Sequence, residues 1–158
     1  MRKNEPFDGG IVVVDKPAGW TSHDVVNRVR RLYDTRQVGH TGTLDPLATG
    51  VLAVLVGRAV KASEYLSAHD KCYEARFRLG VVSDTGDVTG SLTETGAPIP
   101  PAEAVLAAAR AMRGRQMQTP PMTSALRQNG VRLYELARRG EEVERKPRPV
   151  TIYELEVV

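Results

Sequence analysis

Between Gly39 and Gly50 the chain reads Gly-His-Thr-Gly-Thr-Leu-Asp-Pro-Leu-Ala-Thr-Gly. One carboxylate (Asp45), one imidazole (His40) and three hydroxyls therefore sit among three glycines. Asp45 precedes Pro46, whose ring fixes its own φ and keeps the preceding residue extended, so the chain itself aims the carboxylate. A single acid aimed in this way suits nucleophilic chemistry. An Asp-Pro pair is also an ordinary turn element, and His40 equally fits a loop histidine bonded to backbone. The loop lacks the Gly-Lys-Ser/Thr ending of a P-loop and the G-x-G-x-x-G of a dinucleotide site.

The elements around this segment must hold it still. Val51-Leu52-Ala53-Val54-Leu55-Val56 follows directly and reads as a buried strand, which makes the polar stretch a loop set against a core. Upstream, Gly10–Val14 reads as a short buried strand stopped by Asp15-Lys16-Pro17-Ala18-Gly19. Thr21 or Ser22 then caps a helix carrying Val25, Val26, Val29, Leu32 and Tyr33 at helical spacing. Arg58–Leu66 predicts a short helix. Cys72–Leu79 alternates, with Tyr73, Ala75, Phe77 and Leu79 on one face, as a strand would. Residues 80–101 predict loop with one short strand, and Ala102–Arg113 a helix with a stripe of Val105, Leu106, Ala109 and Met112. Gln116–Gly130 predicts an irregular excursion, Val131–Arg139 a helix closed by Gly140, and Thr151–Val158 a last strand.

Composition narrows the class. With 158 residues, 41% hydrophobic and 26% charged, the chain fits one soluble globular domain. No apolar run is long enough for a membrane span, and Met1–Pro6 lacks the apolar core of a signal peptide. Cys72 is the sole cysteine, which excludes an internal disulfide and a cysteine metal cluster and makes the reducing cytoplasm the expected compartment. His23, His40 and His69 show no metal-ligand spacing. The net charge is only +3, but Arg110–Arg148 holds ten Lys/Arg against four Asp/Glu, a local balance of +6. Such a segment suits a polyanion, and also suits a solvated surface.

Five motifs, in order, resemble the TruB-type tRNA pseudouridine synthases. They are Asp15-Lys16-Pro17-Ala18-Gly19-Trp20-Thr21-Ser22, the Gly39–Gly50 loop, Lys71-Cys72-Tyr73-Glu74, Pro120-Pro121-Met122-Thr123-Ser124-Ala125-Leu126, and Asn129-Gly130-Val131-Arg132-Leu133-Tyr134-Glu135-Leu136-Ala137-Arg138. The resemblance covers the chain from about Gly10 to its end. It implies an α+β fold, with a mixed, largely antiparallel sheet flanked by helices and the catalytic loop in a central cleft. It also implies that residues 1–158 form a catalytic domain, incomplete at its C-terminus, with an RNA-gripping insertion at about 116–149.

The implied reaction is isomerisation of uridine to pseudouridine in the tRNA T-loop, at tRNA position 55, with neither cofactor nor metal. Asp45 matches the catalytic aspartate, acting at the sugar C1′ or as the base of a glycal route. Tyr73 matches the tyrosine that stacks on the target ring and has a proton-transfer role; an ordinary core tyrosine fits the same position. Taking a base out of its stack costs a few kcal/mol, and an aromatic face returns roughly 1–3 kcal/mol. His40 matches the histidine that fills the space of the flipped base. Lys16, Thr43, Arg127, Arg132 and Arg138 are the further substrate-binding residues, Lys16 fitting a strand-end solvent group as well as a support of the site. The partner is the T-arm loop of tRNA, recognised by shape and phosphate charge, and the expected enzyme is a cytoplasmic monomer needing no protein partner.

Two positions depart from the pattern: Thr123 stands where tyrosine is usual after Pro-Pro-Met, and Arg127 where lysine is usual. A later motif, whose arginine pairs with the catalytic aspartate, would fall beyond Val158, so the 158 residues alone are expected to be inactive. Two other readings remain at this level. One is the catalytic subunit of a guide-RNA-directed pseudouridylation complex, and the other a non-catalytic RNA-binding or RNA-folding protein that retains the cleft.

Overall fold

The apolar run after the glycine-rich loop forms the middle of a three-stranded antiparallel sheet. A computed structural model describes residues 8–124 and 126–158; the Met1–Pro6 segment and Ala125 of the Pro-Pro-Met motif lie outside the described residues. The chain divides into two compact units, one up to Glu74 and one from Ala75.

In the first unit, β1 (Gly9–Lys16), β2 (Val38–His40) and β3 (Gly50–Gly57) lie in the order β1-β3-β2. β3 pairs with β1 from Gly9↔Gly57 to Lys16↔Gly50, and with β2 from Val38↔Val56 to His40↔Val54. Helix α1 (Ser22–Leu32) lays Val25, Val26 and Val29 against Val38, Leu52, Val54 and Val56, with Leu44 of the loop packed on the same cluster. A 3-10 turn (Arg58–Ala62) and the short helix α2 (Ser63–Leu66) follow. Because residues alternate along β3, Leu55 faces away from that cluster, yet it too is fully buried.

The second unit holds three small antiparallel pairs and two helices. β4 (Val81–Ser83) pairs with β5 (Leu92–Glu94), and helix α3 (Ala102–Ala111) follows. β6 (Gly114–Gln118) pairs with β9 (Arg148–Ile152). β7 (Arg127–Gln128) and β8 (Val131–Arg132) are joined by Asn129-Gly130, both at positive φ as a two-residue mirror-image turn needs. Helix α4 (Leu133–Arg138) buries Leu133 and Leu136, and Gly140 follows it at φ 74°.

The α+β class holds, with every described ladder antiparallel. Several elements differ from their sequence patterns. β1 is an edge strand rather than a buried one: Val12 and Val14 turn inward while Ile11 and Val13 stay exposed. Cys72–Leu79 forms no strand. No ladder partner pairs with it among the described residues, and its would-be inner face, Tyr73, Phe77 and Leu79, is exposed. Alternation shows which side chains share a face, but a strand also needs a neighbour for its backbone groups.

The last strand covers Arg148–Ile152 instead of Thr151–Val158. Its partner begins only at Gly114, just past the end of α3, so the ladder runs out at Ile152; beyond it the Arg113 guanidinium donates to the Leu155 carbonyl at 2.7 Å. Gln116–Gln118 and Arg127–Gln128, inside the expected irregular excursion, are therefore paired, and residues 80–101 hold two strands rather than one. The helix stripe of α3 is also weaker than its spacing suggests, because Met112 is exposed and no residue of the helix is fully buried.

Replacing Leu55 by Ala should lower the unfolding free energy by about 2–5 kcal/mol in urea denaturation. The Val13→Thr change, on the open face of β1, should stay within about 0.5 kcal/mol.

Candidate active site

Asp45 lies in a loop that is pinned on both sides. On its N-terminal side, the hydroxyl of Ser22 accepts a hydrogen bond from the Leu44 N–H at 2.9 Å and donates to the Leu44 carbonyl at 3.2 Å. On its C-terminal side, the Pro46 carbonyl accepts from the Gly19 N–H at 2.7 Å and from Lys16 Nζ at 3.4 Å. A further turn bond runs from the Ala48 N–H to the Asp45 carbonyl. The residues either side of the carboxylate are thus fixed, while Asp45 itself is exposed and its carboxylate makes no hydrogen bond or ion pair among the described residues.

Both pins are built by the motif that ends β1 and starts α1. Lys16 is fully buried at the end of β1, and its ammonium also donates to the carbonyls of Pro17 (3.0 Å) and Trp20 (2.7 Å). Three donors thus meet three backbone acceptors, which is what a buried cation without a counter-ion requires. The solvent-group alternative for Lys16 is excluded by its burial. Ser22, the first residue of α1, is buried as well. Its place is set by a capping box: the Thr21 hydroxyl accepts from the Asp24 N–H, and the Asp24 carboxylate accepts from the Thr21 N–H at 2.9 Å. The Thr21 hydroxyl also lies 2.6 Å from Asp24 Oδ2, and this contact, then the backbone bond, holds the Asp24 carboxyl below its ordinary range.

The other expected site residues fall in different places. His40 ends β2 at the mouth of the loop, opposite Val54, and its Nδ1 is buried without a hydrogen-bond partner. Thr43 is exposed beside Leu44 and forms no side-chain hydrogen bond. Tyr73 is exposed on the irregular segment at the end of the first unit, so the core-tyrosine reading fails. The three arginines belong to the second unit. Arg127 donates to the Gly130 carbonyl across the β7–β8 turn at 2.9 Å, while Arg132 and Arg138 gather on Tyr134. Among the described residues, no three His, Cys, Asp or Glu side chains come together as metal ligands. Sequence reasoning passed over Ser22 as a holder of the loop, because nothing local marks a serine whose partner lies 22 residues away.

Residues 30–158 match the TruB family pseudouridylate synthase (N terminal domain). The chain belongs to the TruB family. A TruB-family relative, tRNA pseudouridine synthase B of Thermobifida fusca, is 53% identical over 153 residues, 94% of this chain and 51% of that protein. The protein of the same name from Saccharophagus degradans is 51% identical, over 99% of this chain and 50% of its own length. That of Methylococcus capsulatus is 48% identical, over 94% of this chain and 66% of its own. The chain thus spans about half to two thirds of the length of these curated relatives. A chain from the crystal structure of a Cbf5-Nop10-Gar1 complex aligns with 96% of this one, and with 36% of itself, at TM-score 0.55 and 22% identity, so the two share a fold. No helix among the described residues is long and apolar enough to cross a membrane.

Two outcomes follow from the pinned TruB-family loop. Ser22→Ala leaves the Leu44 N–H and carbonyl without their partner, and amide hydrogen exchange at Leu44 should quicken while the β1–β3 ladder amides keep their protection. The capping box should show in an acid titration followed by NMR. Because the native state lowers the Asp24 pKa, its stabilisation is complete above the ordinary aspartate range and disappears as pH falls through the lowered value. The Thr21→Ala change should move the Asp24 midpoint upward toward the ordinary value.

Proposed function

We propose that the protein carrying this chain is a tRNA pseudouridine synthase that isomerises a T-loop uridine, with Asp45 as its catalytic aspartate. The observation that carries this reading is the open carboxylate of Asp45, fixed through Leu44 and Pro46, in a TruB-family chain whose half-identical relatives are named tRNA pseudouridine synthase B. In this reaction the N1–C1′ bond of the uridine breaks and a C5–C1′ bond forms. The proton on C5 leaves and N1 ends protonated, so atoms balance without oxidant, cofactor or second substrate.

The residues divide the work. Asp45 meets the sugar C1′, or takes the proton that opens a glycal route; a preset carboxylate serves either because its orientation need not be found at the moment of reaction. Tyr73, exposed and free to meet an unstacked ring, stacks on the uracil. His40 and Thr43 border the cleft into which the nucleoside turns, with Lys16 beneath the loop as its support. Arg127, Arg132 and Arg138 belong to the RNA grip at residues 116–149. The enzyme so described works in the cytoplasm as a monomer without a partner protein. Relatives at about half identity bear a tRNA enzyme's name, whereas the likeness to the complex-forming Cbf5 chain is one of fold, which favours the stand-alone reading.

Asp45→Asn, in the protein that carries this chain, should abolish tritium release from C5-labelled uridine in a T-loop transcript while the transcript still binds. Retained tritium release would remove Asp45 from the chemistry. A wild-type protein that binds the transcript and releases no tritium would favour the non-catalytic RNA-binding reading.

A further inference from the structure

Arg132 and Arg138 are not independent side chains. Tyr134, the second residue of α4, joins them. Its phenol oxygen accepts a hydrogen bond from Arg132 Nη1 at 3.0 Å, and the Arg132 guanidinium carbon lies 5.7 Å from the ring centroid. Arg138, one helical turn further on, places its guanidinium carbon 5.3 Å from the same centroid. Both distances lie within the reach of a cation–π contact.

The backbone of Tyr134 is held, and neither charge meets a carboxylate among the described residues. Tyr134 is half-buried, it follows the buried Leu133, and its backbone N–H donates to the Ser124 carbonyl at 3.2 Å. Arg138 is exposed. Among the described residues neither arginine forms an ion pair, although Arg58, Arg78 and Arg145 each meet a carboxylate. Two like charges held on one small aromatic group repel each other, and an anion placed between or beside them relieves that repulsion. Holding both guanidinium groups in advance also lowers the side-chain ordering that binding an anion requires.

We propose that Tyr134 is a positioning residue that holds Arg132 and Arg138 as one anion-binding pair for the phosphate backbone of the RNA substrate. The proposal rests on the reading of the chain as part of an RNA-modifying enzyme. Phosphate is the matching anion because guanidinium groups meet its oxygens in paired hydrogen bonds. The aromatic side chain contributes by setting geometry rather than by touching RNA.

The test measures binding of a T-loop stem-loop transcript to the protein carrying this chain, across a salt series. Each phosphate contact contributes about 0.7–0.9 to the slope of log K against log salt. Tyr134→Leu should weaken binding and make the slope shallower by about one such contact or more. It should raise KM with kcat little changed. Arg138→Ala should weaken binding several-fold in the wild type and little further in the Tyr134→Leu background.

Tyr134→Phe keeps the ring and removes only the hydroxyl, so it serves if the leucine variant does not fold. It should diminish the effect of Arg132→Ala and leave that of Arg138→Ala intact. A leucine variant with the wild-type slope, or arginine effects equal in all three backgrounds, overturns the proposal. A wild-type protein whose RNA binding does not depend on salt also overturns the proposal, whereas one that does not bind the transcript at all overturns the RNA reading itself, which separates the two failures.

Discussion

The ammonium of Lys16 is the point on which the loops of the first unit converge. Removing a cation from water is costly, and here no carboxylate compensates for it; the carbonyls of Pro17, Trp20 and Pro46 do. That requirement is severe, because a carbonyl that drifts away leaves a buried donor unmade. The three oxygens therefore have to stay together. Two come from the turn after β1 and the third from a loop 30 residues further along. A buried charge thus ties two distant stretches of backbone to one geometry.

The second tie is of another kind. Ser22 uses a single hydroxyl as both donor and acceptor toward one residue, Leu44, and so fixes a peptide segment rather than a point. It can do this because the capping box fixes where α1 begins, and because Val25, Val26 and Val29 press the helix on β3. Packing energy from the apolar cluster is in this way converted into positional precision at a polar loop. Leu44 takes part in both, touching the core by its side chain and Ser22 by its backbone. Asp45 follows it and is held between these supports while its own side chain stays open.

The second unit uses smaller devices. Its strand pairs are short, and two of its arginines, Arg132 and Arg138, are organised on one tyrosine, Tyr134. Arg127 is turned into its own hairpin, closing the Asn129-Gly130 turn through the Gly130 carbonyl. Asp87 illustrates the same local economy: the hydroxyl and N–H of Thr89, and then the Thr85 hydroxyl, hold its carboxyl below the ordinary range, which marks it as a loop-forming group.

The local sequence determined what local physics decides. The valine spacing and the Thr-Ser-x-Asp start specified α1, the uninterrupted apolar run specified β3, and Pro46 made Asp45 stand out as an aimed acid. Asn129-Gly130 and Gly140 punctuate the chain where φ must be positive. Tertiary structure decided whatever depends on a distant partner. Alternation over Cys72–Leu79 supplied a face but no ladder, whereas the polar Gly114–Gln118 stretch became a strand because Arg148–Ile152 lies beside it. Lys16 reads equally as a strand-end solvent group or a support of the site, and Ser22 as a helix cap, until the fold brings the Leu44–Pro46 backbone within hydrogen-bond reach of them. Propensity and periodicity are written in neighbouring residues, but a hydrogen bond to a backbone atom 22 or 30 positions away leaves no mark on either of them.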